Sequence, residues 1–234
     1  MTDYVLGPPP VPSLAVQGEG GRFPLRRVFC VGRNYLEHVR EMGNDERAPP
    51  FFFSKPADAA FDAGPSDEAR IPYPPETGDL HHEVELAVAL GSGGRDIDPA
   101  DALGHVYGYA VAVDLTRRDL QAAAKKAGRP WDWAKGFDLS APCGPIGPAE
   151  LATDFDPETA TIRLSVDDVV RQDAAISEMI WPVADIIAFA SRSMELKPGD
   201  LFLTGTPAGV GPVEPGQTLR GQITGLPDVV VTVG

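Results

Sequence analysis

Cysteine is scarce: the 234 residues contain two, Cys30 and Cys143. Two cannot build a disulfide framework; they fit a reducing compartment, where each reads as a small buried hydrophobe. Basic residues are also in deficit, with 20 Lys and Arg against 34 Asp and Glu, a formal charge of −14. No basic stripe is left to neutralise phosphates, so neither nucleic acid nor an anionic membrane surface is expected as a partner, whereas a cation is admissible. Long apolar runs are missing too. The nearest to the ~20 residues that span a bilayer is 183–190, and Asp185 interrupts it. Met1-Thr2-Asp3-Tyr4 lacks the basic-then-apolar pattern of a signal peptide, and the expected location is the cytoplasm.

Proline and glycine are abundant, 24 and 25 residues. That level argues against a helical bundle and for many short strands joined by turns, while 43% hydrophobic residues suffice for a sizeable core. The expectation is an α+β fold, strand-rich, with residues 1–24 as an N-terminal arm or short hairpin and 25–234 as a single domain. Strands are expected over 28–32, 51–55, 83–90, 106–113, 201–203 and 229–233, where apolar runs end at Gly, Pro or Asp. Residues 61–79, broken by six Gly and Pro, read as a loop or weak edge strand. Two runs, 162–166 and 169–172, flank Asp167-Asp168 and predict a hairpin.

Three helices are expected. One follows Asn34 as N-cap, with Tyr35, Val39 and Met42 on its buried stripe and Gly43 as its stop. A second opens at the capping-box spacing of Thr116-Arg117-Arg118-Asp119 and closes at Gly128. A third starts with Pro182 in its first position and buries Val183, Ile186, Ile187 and Ala190.

The densest polar cluster is His81-His82-Glu83-Val84-Glu85. On a strand, residues two apart share a face, so Glu83 and Glu85 aim at one point. Neighbouring carboxylates repel unless a cation sits between them, and Mg²⁺ or Mn²⁺ is the simplest candidate. The pair also fits the wet face of an amphipathic strand. Asp114 tips the reading, because it ends a wholly apolar run where a lone carboxylate is costly to bury. The histidines match no zinc spacing and read as supporting or surface residues.

His38 and Glu41 stand three apart on the first helix, where a carboxylate can tune an imidazole as a general base; a solvated Glu/His face is the alternative. Arg118, Gln121 and Lys135 follow Asp114 and offer donors to an anionic substrate or oxyanion, or else they face solvent. The loop 205–211 lacks the ending of a phosphate-binding loop. Its amides and Thr206 either cradle a carboxylate or simply turn the chain.

Five segments occur in the order seen in the fumarylacetoacetate hydrolase family: Gly32-Arg33-Asn34-Tyr35 with His38 and Glu41; His82-Glu83-Val84-Glu85-Leu86; residues 114–121; Lys135-Gly136-Phe137-Asp138; and residues 203–211. The chain resembles the short, single-domain branch of acylpyruvases and fumarylpyruvate hydrolases, without the extra N-terminal domain of longer members. Residues 51–58 and 129–132 look most like fumarylpyruvate hydrolase. One departure is Asp167-Asp168, where relatives often carry Asn-Gly.

The resemblance implies a mixed β-sandwich roll with flanking helices, in a homodimer. It implies that Glu83, Glu85 and Asp114 bind Mg²⁺ or Mn²⁺, and that His38 with Glu41 activates water. Gln121 and Lys135 would complete the catalytic set, while Arg33, Tyr35, Lys55, Arg118 and Thr206 would contact substrate. The implied reaction cleaves a 2,4-dioxo acid, foremost fumarylpyruvate to fumarate and pyruvate. Broader acylpyruvase activity or oxaloacetate decarboxylation on the same site is the alternative, and a non-catalytic metal-binding dimeric scaffold is the rival of another class. An anionic substrate approaching a chain of charge −14 requires Arg118, Lys135, Lys55 and the metal to reverse the field locally.

Overall fold

The computed structural model describes residues 4–36, 49–65 and 69–234. The frequent Pro and Gly cut the chain into short strands. β1 (Ser13–Ala15) and β2 (Arg22–Pro24) form an antiparallel hairpin. β3 (Arg27–Val31), β4 (Phe52–Lys55), β5 (Ala60–Asp62) and β6 (Arg70–Ile71) follow, then β7 (Leu80–His82), β8 (Val84–Leu90), β9 (Val106–Val113) and β10 (Thr116–Arg117). After two helices come β11 (Ala141–Cys143), β12 (Gly147–Pro148) and the hairpin of β13 (Thr161–Val166) with β14 (Val169–Ala175). β15 (Asp200–Leu203), β16 (Gly211–Pro212), β17 (Thr218–Ile223) and β18 (Val229–Val233) complete the chain.

The strands assemble into a large mixed sheet in the order β4-β3-β15-β8-β9-β11-β5, with β12 paired to β9, and a second sheet in the order β14-β13-β17-β18-β6. A small sheet, β10-β7-β16, sits beside them, so the architecture is the expected strand-rich mixed one. β8 is buried along its whole length, and its alternation is one of size rather than polarity. Val84, Leu86, Val88 and Leu90 join the core toward the second sheet, together with Ile162, Leu164, Leu219 and Val231. Ala87 and Ala89 face the other core, which Leu14, Phe23 and Leu25 of the N-terminal segment close over. Both faces are therefore covered, as a central strand without polar alternation requires.

β3 and β15 are parallel, and β8 runs antiparallel to β15 and to β9. The C-terminal ends of β3, β15 and β9 and the N-terminal end of β8 consequently meet at one edge of the sheet. At the opposite end of β15, the buried Asp200 accepts from Arg27 Nε at 2.9 Å and Nη2 at 2.6 Å, from Arg26 at 3.1 Å and from the Lys197 amide at 2.9 Å. This clamp fixes the β3–β15 register.

Several local expectations change. Thr116 belongs to β10 and its hydroxyl donates to Asp114 O, so it does not cap the helix Arg118–Ala127, whose N-cap is Arg117 without a side-chain bond. Pro182 stands one position earlier than expected, as the N-cap of the helix Val183–Ser193, which buries the four predicted residues. Asn34 was expected to cap the first helix, whose body lies outside the described residues. Its carboxamide instead ties three segments: Nδ2 donates to Trp181 O at 2.9 Å and Thr204 O at 2.8 Å, and Oδ1 accepts from Trp181 N at 2.7 Å. Asp167 and Asp168 adopt φ of 46° and 65°, the left-handed pair that a two-residue hairpin turn demands.

Replacing Asp200 by Ala should lower stability by about 2–4 kcal/mol in urea denaturation, because its charged bonds are buried on one side. Breaking the exposed Arg163–Asp173 pair should change it by less than about 1 kcal/mol.

Candidate active site

Three acidic residues converge at the sheet edge. Glu83 occupies the single-residue break between β7 and β8, Glu85 lies two residues on in β8, and Asp114 is the first residue after β9. The Asp114 amide donates to Glu83 O at 2.8 Å, which locks the two strand ends together. All three side chains are buried, and one carboxylate oxygen from each lies within 4.8 Å of the others.

Cations compensate them unequally. Lys135, at the end of the short helix Asp132–Lys135, places Nζ 2.7 Å from Glu83 Oε2 and 2.6 Å from Asp114 Oδ2. Arg118 pairs with the other Glu83 oxygen and donates to Gln121 Oε1 at 2.6 Å. Lys55 stands 2.8 Å from Asp114 Oδ1 and also donates to Leu115 O at 3.2 Å and to Lys135 O. Glu85 has only the Gly205 amide, at 2.7 Å, among the described residues.

The ionisation follows. Burial drives the Glu83 carboxyl upward, but Lys135 and Arg118 overcome it and hold it below the usual carboxylate range. Burial, then Asp114 and Glu83, push Glu85 well above that range, with Lys135 and Gly205 only partly opposing. Burial would loosen the Lys135 proton, yet Asp114 and Glu83 outweigh it and keep the side chain an ammonium.

Glu83, Glu85, Arg118, Gln121, Lys135 and Thr206 line one pocket. Asp114 lies behind it as a fully buried anchor. Lys55 takes a different place from the expected one. Its ammonium is spent on Asp114 and two carbonyls, so it supports the carboxylate from behind rather than facing the pocket. Tyr35 is buried, and its hydroxyl finds no partner among the described residues; burial first, then Glu85 and Glu178, raise it, which keeps the phenol neutral. Arg33 rests on the Phe51 ring, 5.3 Å from its centroid. His38 and Glu41 lie outside the described residues.

Two residues escaped the sequence reading. Gln172 is fully buried on β14 and crosses to the site, donating to Thr206 Oγ1 at 2.8 Å and Pro207 O at 2.9 Å while Oε1 accepts from Val84 N at 3.1 Å and faces His82 Nδ1 at 3.0 Å. His82 is buried and pulled down to about 4 by that burial, so its imidazole is neutral and serves this network. Thr206 also donates to Val84 O at 2.8 Å. Lys125, at the pocket rim, is the other; burial, then Arg118 and Arg33, bring it down to about 8. Gln172 stands between Arg171 and Asp173 in its hairpin strand, so no local signal set it apart. For Lys125 the sign was its position one helical turn beyond Gln121.

The donor set fits a hard divalent cation. It consists of carboxylate oxygens within reach of one another, and Glu85 is left without a cationic partner among the described residues. Zn²⁺ fits less well, because no Cys or His joins the cluster among the described residues.

The chain has counterparts among known proteins. Residues 27–234 match the family described as fumarylacetoacetate (FAA) hydrolase C-terminal. A solved structure of fumarylpyruvate hydrolase from Pseudomonas aeruginosa, in complex with Mn²⁺ and pyruvate, superimposes with a TM-score of 0.95 at 48% identity, covering 99% of each chain. The mitochondrial oxaloacetate decarboxylase of Dictyostelium discoideum is 42% identical over 86% of this chain and 90% of its own. A mitochondrial oxaloacetate tautomerase of Oryza sativa subsp. japonica is 43% identical over 87% of both. Matched by the family over residues 27–234 and alike to these proteins over most of its length, the chain belongs to the fumarylacetoacetate hydrolase family.

Proposed function

We propose that this protein is a metal-dependent hydrolase of 2,4-dioxo acids, foremost fumarylpyruvate, which it splits into fumarate and pyruvate. The observation that carries this reading is the joining of Glu83, Glu85 and Asp114 to Lys135 and Gln121 around one pocket. Likeness to a fumarylpyruvate hydrolase over the full length of both chains supports the choice of substrate.

Glu83, Glu85 and Asp114 would hold Mg²⁺ or Mn²⁺, which when bound supplies a Lewis acid for the charge that develops on the pyruvate side. Thr206, positioned by Gln172, orients the substrate carboxylate. His38, paired with Glu41, takes the proton of the attacking water; both assignments rest on the resemblance. The water oxygen adds to C4, and Lys135 and Gln121 donate to the oxygen on which negative charge collects. The C3–C4 bond then breaks, its electron pair stays with the pyruvate carbon, and that carbon takes a proton. Lys135, paired with two carboxylates, serves here as a donor and not as a base. Tyr35 and Arg33 border the substrate, and the homodimer implied by the resemblance and the cytoplasmic location expected from the sequence belong to the same reading.

Oxaloacetate tautomerisation or decarboxylation is the second reading, favoured by relatives such as those of Dictyostelium and rice. It uses the same carboxylates but needs no attacking water.

Chelation should reduce fumarylpyruvate turnover to about 1% or less, and Mn²⁺ should restore it. Saturating Mn²⁺ at about 100 times its Kd should also raise stability by about 2.7 kcal/mol in the unaltered protein, and by much less in Glu85→Gln. Turnover that survives chelation would remove the metal from the reaction. His38→Ala should lower hydrolysis about 10²–10⁴-fold, the usual worth of a positioned base, while oxaloacetate turnover falls less than about tenfold. Equal losses on both substrates would remove the water-activating assignment. Gln121→Ala should cost about 10²–10³ in kcat with KM little changed. No turnover of any of these acids by the metal-loaded protein would leave the scaffold alternative.

A further inference from the structure

Three cations, Lys135, Arg118 and Lys125, line the pocket of an otherwise acidic protein, Arg33 stands next to its Gly32, and the four differ in their commitments. Lys135 and Arg118 are paired with Glu83 and Asp114. Lys125 and Arg33 have no carboxylate partner among the described residues. Lys125 lines the same pocket as Glu83 and Gln121, with its ammonium 5.0 Å above the Trp131 ring. Arg33 lies over Phe51, and its Nε is buried without an acceptor among the described residues. Phe51 and Trp131 meet edge to face at 5.3 Å, which sets the two cations on adjoining aromatic plates.

Lys125 and Arg33 are close enough to repel: the like charges of Arg118 and Arg33, after burial, are what loosen the Lys125 proton. Lys125 is exposed and Arg33 half-buried, so water reaches both cations, and an incoming anion can take its place between two groups that no described carboxylate holds. The carboxylate triad is not that anion: Glu83 and Asp114 are paired with Lys135, Arg118 and Lys55, and Glu85 takes the Gly205 amide. An aromatic corner with a cation over each ring suits a short unsaturated acid: the rings take the chain and the cations take the charge.

We propose that Lys125 and Arg33 bind the second carboxylate of the substrate, the one on the acyl group, and so select dicarboxylic dioxo acids over those with a plain acyl chain. This deepens the reading above and rests on it for the identity of the reaction. Lys125 is the specificity residue, because it faces the pocket directly; Arg33 supports it from the Phe51 side. Trp131 and Phe51 position both.

The test compares the Mn²⁺-loaded protein with Lys125→Met and Lys125→Arg on two substrates, fumarylpyruvate and acetylpyruvate, which lacks the second carboxylate. In Lys125→Met the ratio of the two kcat/KM values should fall by about tenfold or more, mainly through KM for fumarylpyruvate, as loss of a charged hydrogen bond implies. Lys125→Arg should restore most of it. A binding measurement runs alongside, following tryptophan fluorescence while fumarate or crotonate, the same skeleton with one carboxylate, is added. Fumarate should bind more tightly than crotonate, and Lys125→Met should abolish that preference.

Equal losses on both substrates, or no loss on either, overturn the proposal. So does a fumarate preference that survives Lys125→Met. If the unaltered protein hydrolyses neither dioxo acid, the proposed reaction falls, and the fumarate–crotonate comparison still decides the carboxylate site.

Discussion

Three carboxylates buried at one sheet edge are the constraint to which the rest of the site answers. Burying even one ionised carboxyl without a partner is prohibitive, and the triad holds three within 4.8 Å. The chain meets this by bringing cations from three separate segments: Lys55 at the end of β4, Arg118 at the start of a helix and Lys135 at the end of another. The compensation is uneven. Lys135 is shared by Glu83 and Asp114, whereas Glu85 receives one backbone amide. That unevenness leaves a place for a divalent ion, because a set of carboxylates fully paired by lysine and arginine would have no use for one.

The fold serves this edge. Parallel pairing of β3 with β15 and antiparallel pairing with β8 and β9 deliver four strand ends to the same side. The Asp200 clamp holds the far end of that arrangement, and Asn34 ties β3's exit to Thr204 and Trp181 on the near end. Gly205, at φ 95°, directs its amide to Glu85, and a Cβ there would come within 2.7 Å of the Asn34 Cβ. Backbone and side chain are thus fitted to each other around a single carboxylate, which explains why the glycine-rich loop is so short of side chains at that point.

The strands that line the core were legible because apolar runs bounded by Gly, Pro or Asp carry their own signal; β8 and β9 are the clearest cases. The pair Glu83 and Glu85 was legible from its spacing, and Asp114 from its place after an apolar run. β7, β10 and β16 were not, since two or three residues contain no periodicity and their pairing depends on partners distant in sequence. Gln172 was hidden for the same reason: its contacts lie 34 to 90 residues away. Thr116 misled because a capping-box spacing is equally satisfied by a strand residue whose hydroxyl turns back to Asp114 O. Lys55 is expected from the resemblance to contact substrate, but neither the resemblance nor its charge reveals which side of a carboxylate it stands on.

Net charge and site charge answer different physical demands. A formal −14 spread over the surface keeps like molecules apart, and its long-range field is screened within roughly 8–10 Å at ordinary salt. A substrate anion therefore feels the global charge weakly once near the protein, and feels the pocket strongly. There, Lys135 and Arg118 neutralise carboxylates that would otherwise repel it, while Lys125 and Arg33 stand over Trp131 and Phe51 with charge left over. The two pairs divide the work: one makes the metal-binding carboxylates tolerable to bury, and the other gives the pocket its sign. On the proposal for Lys125 and Arg33, selection among anions rests on the second pair, because the first is already committed to Glu83 and Asp114 before any anion arrives.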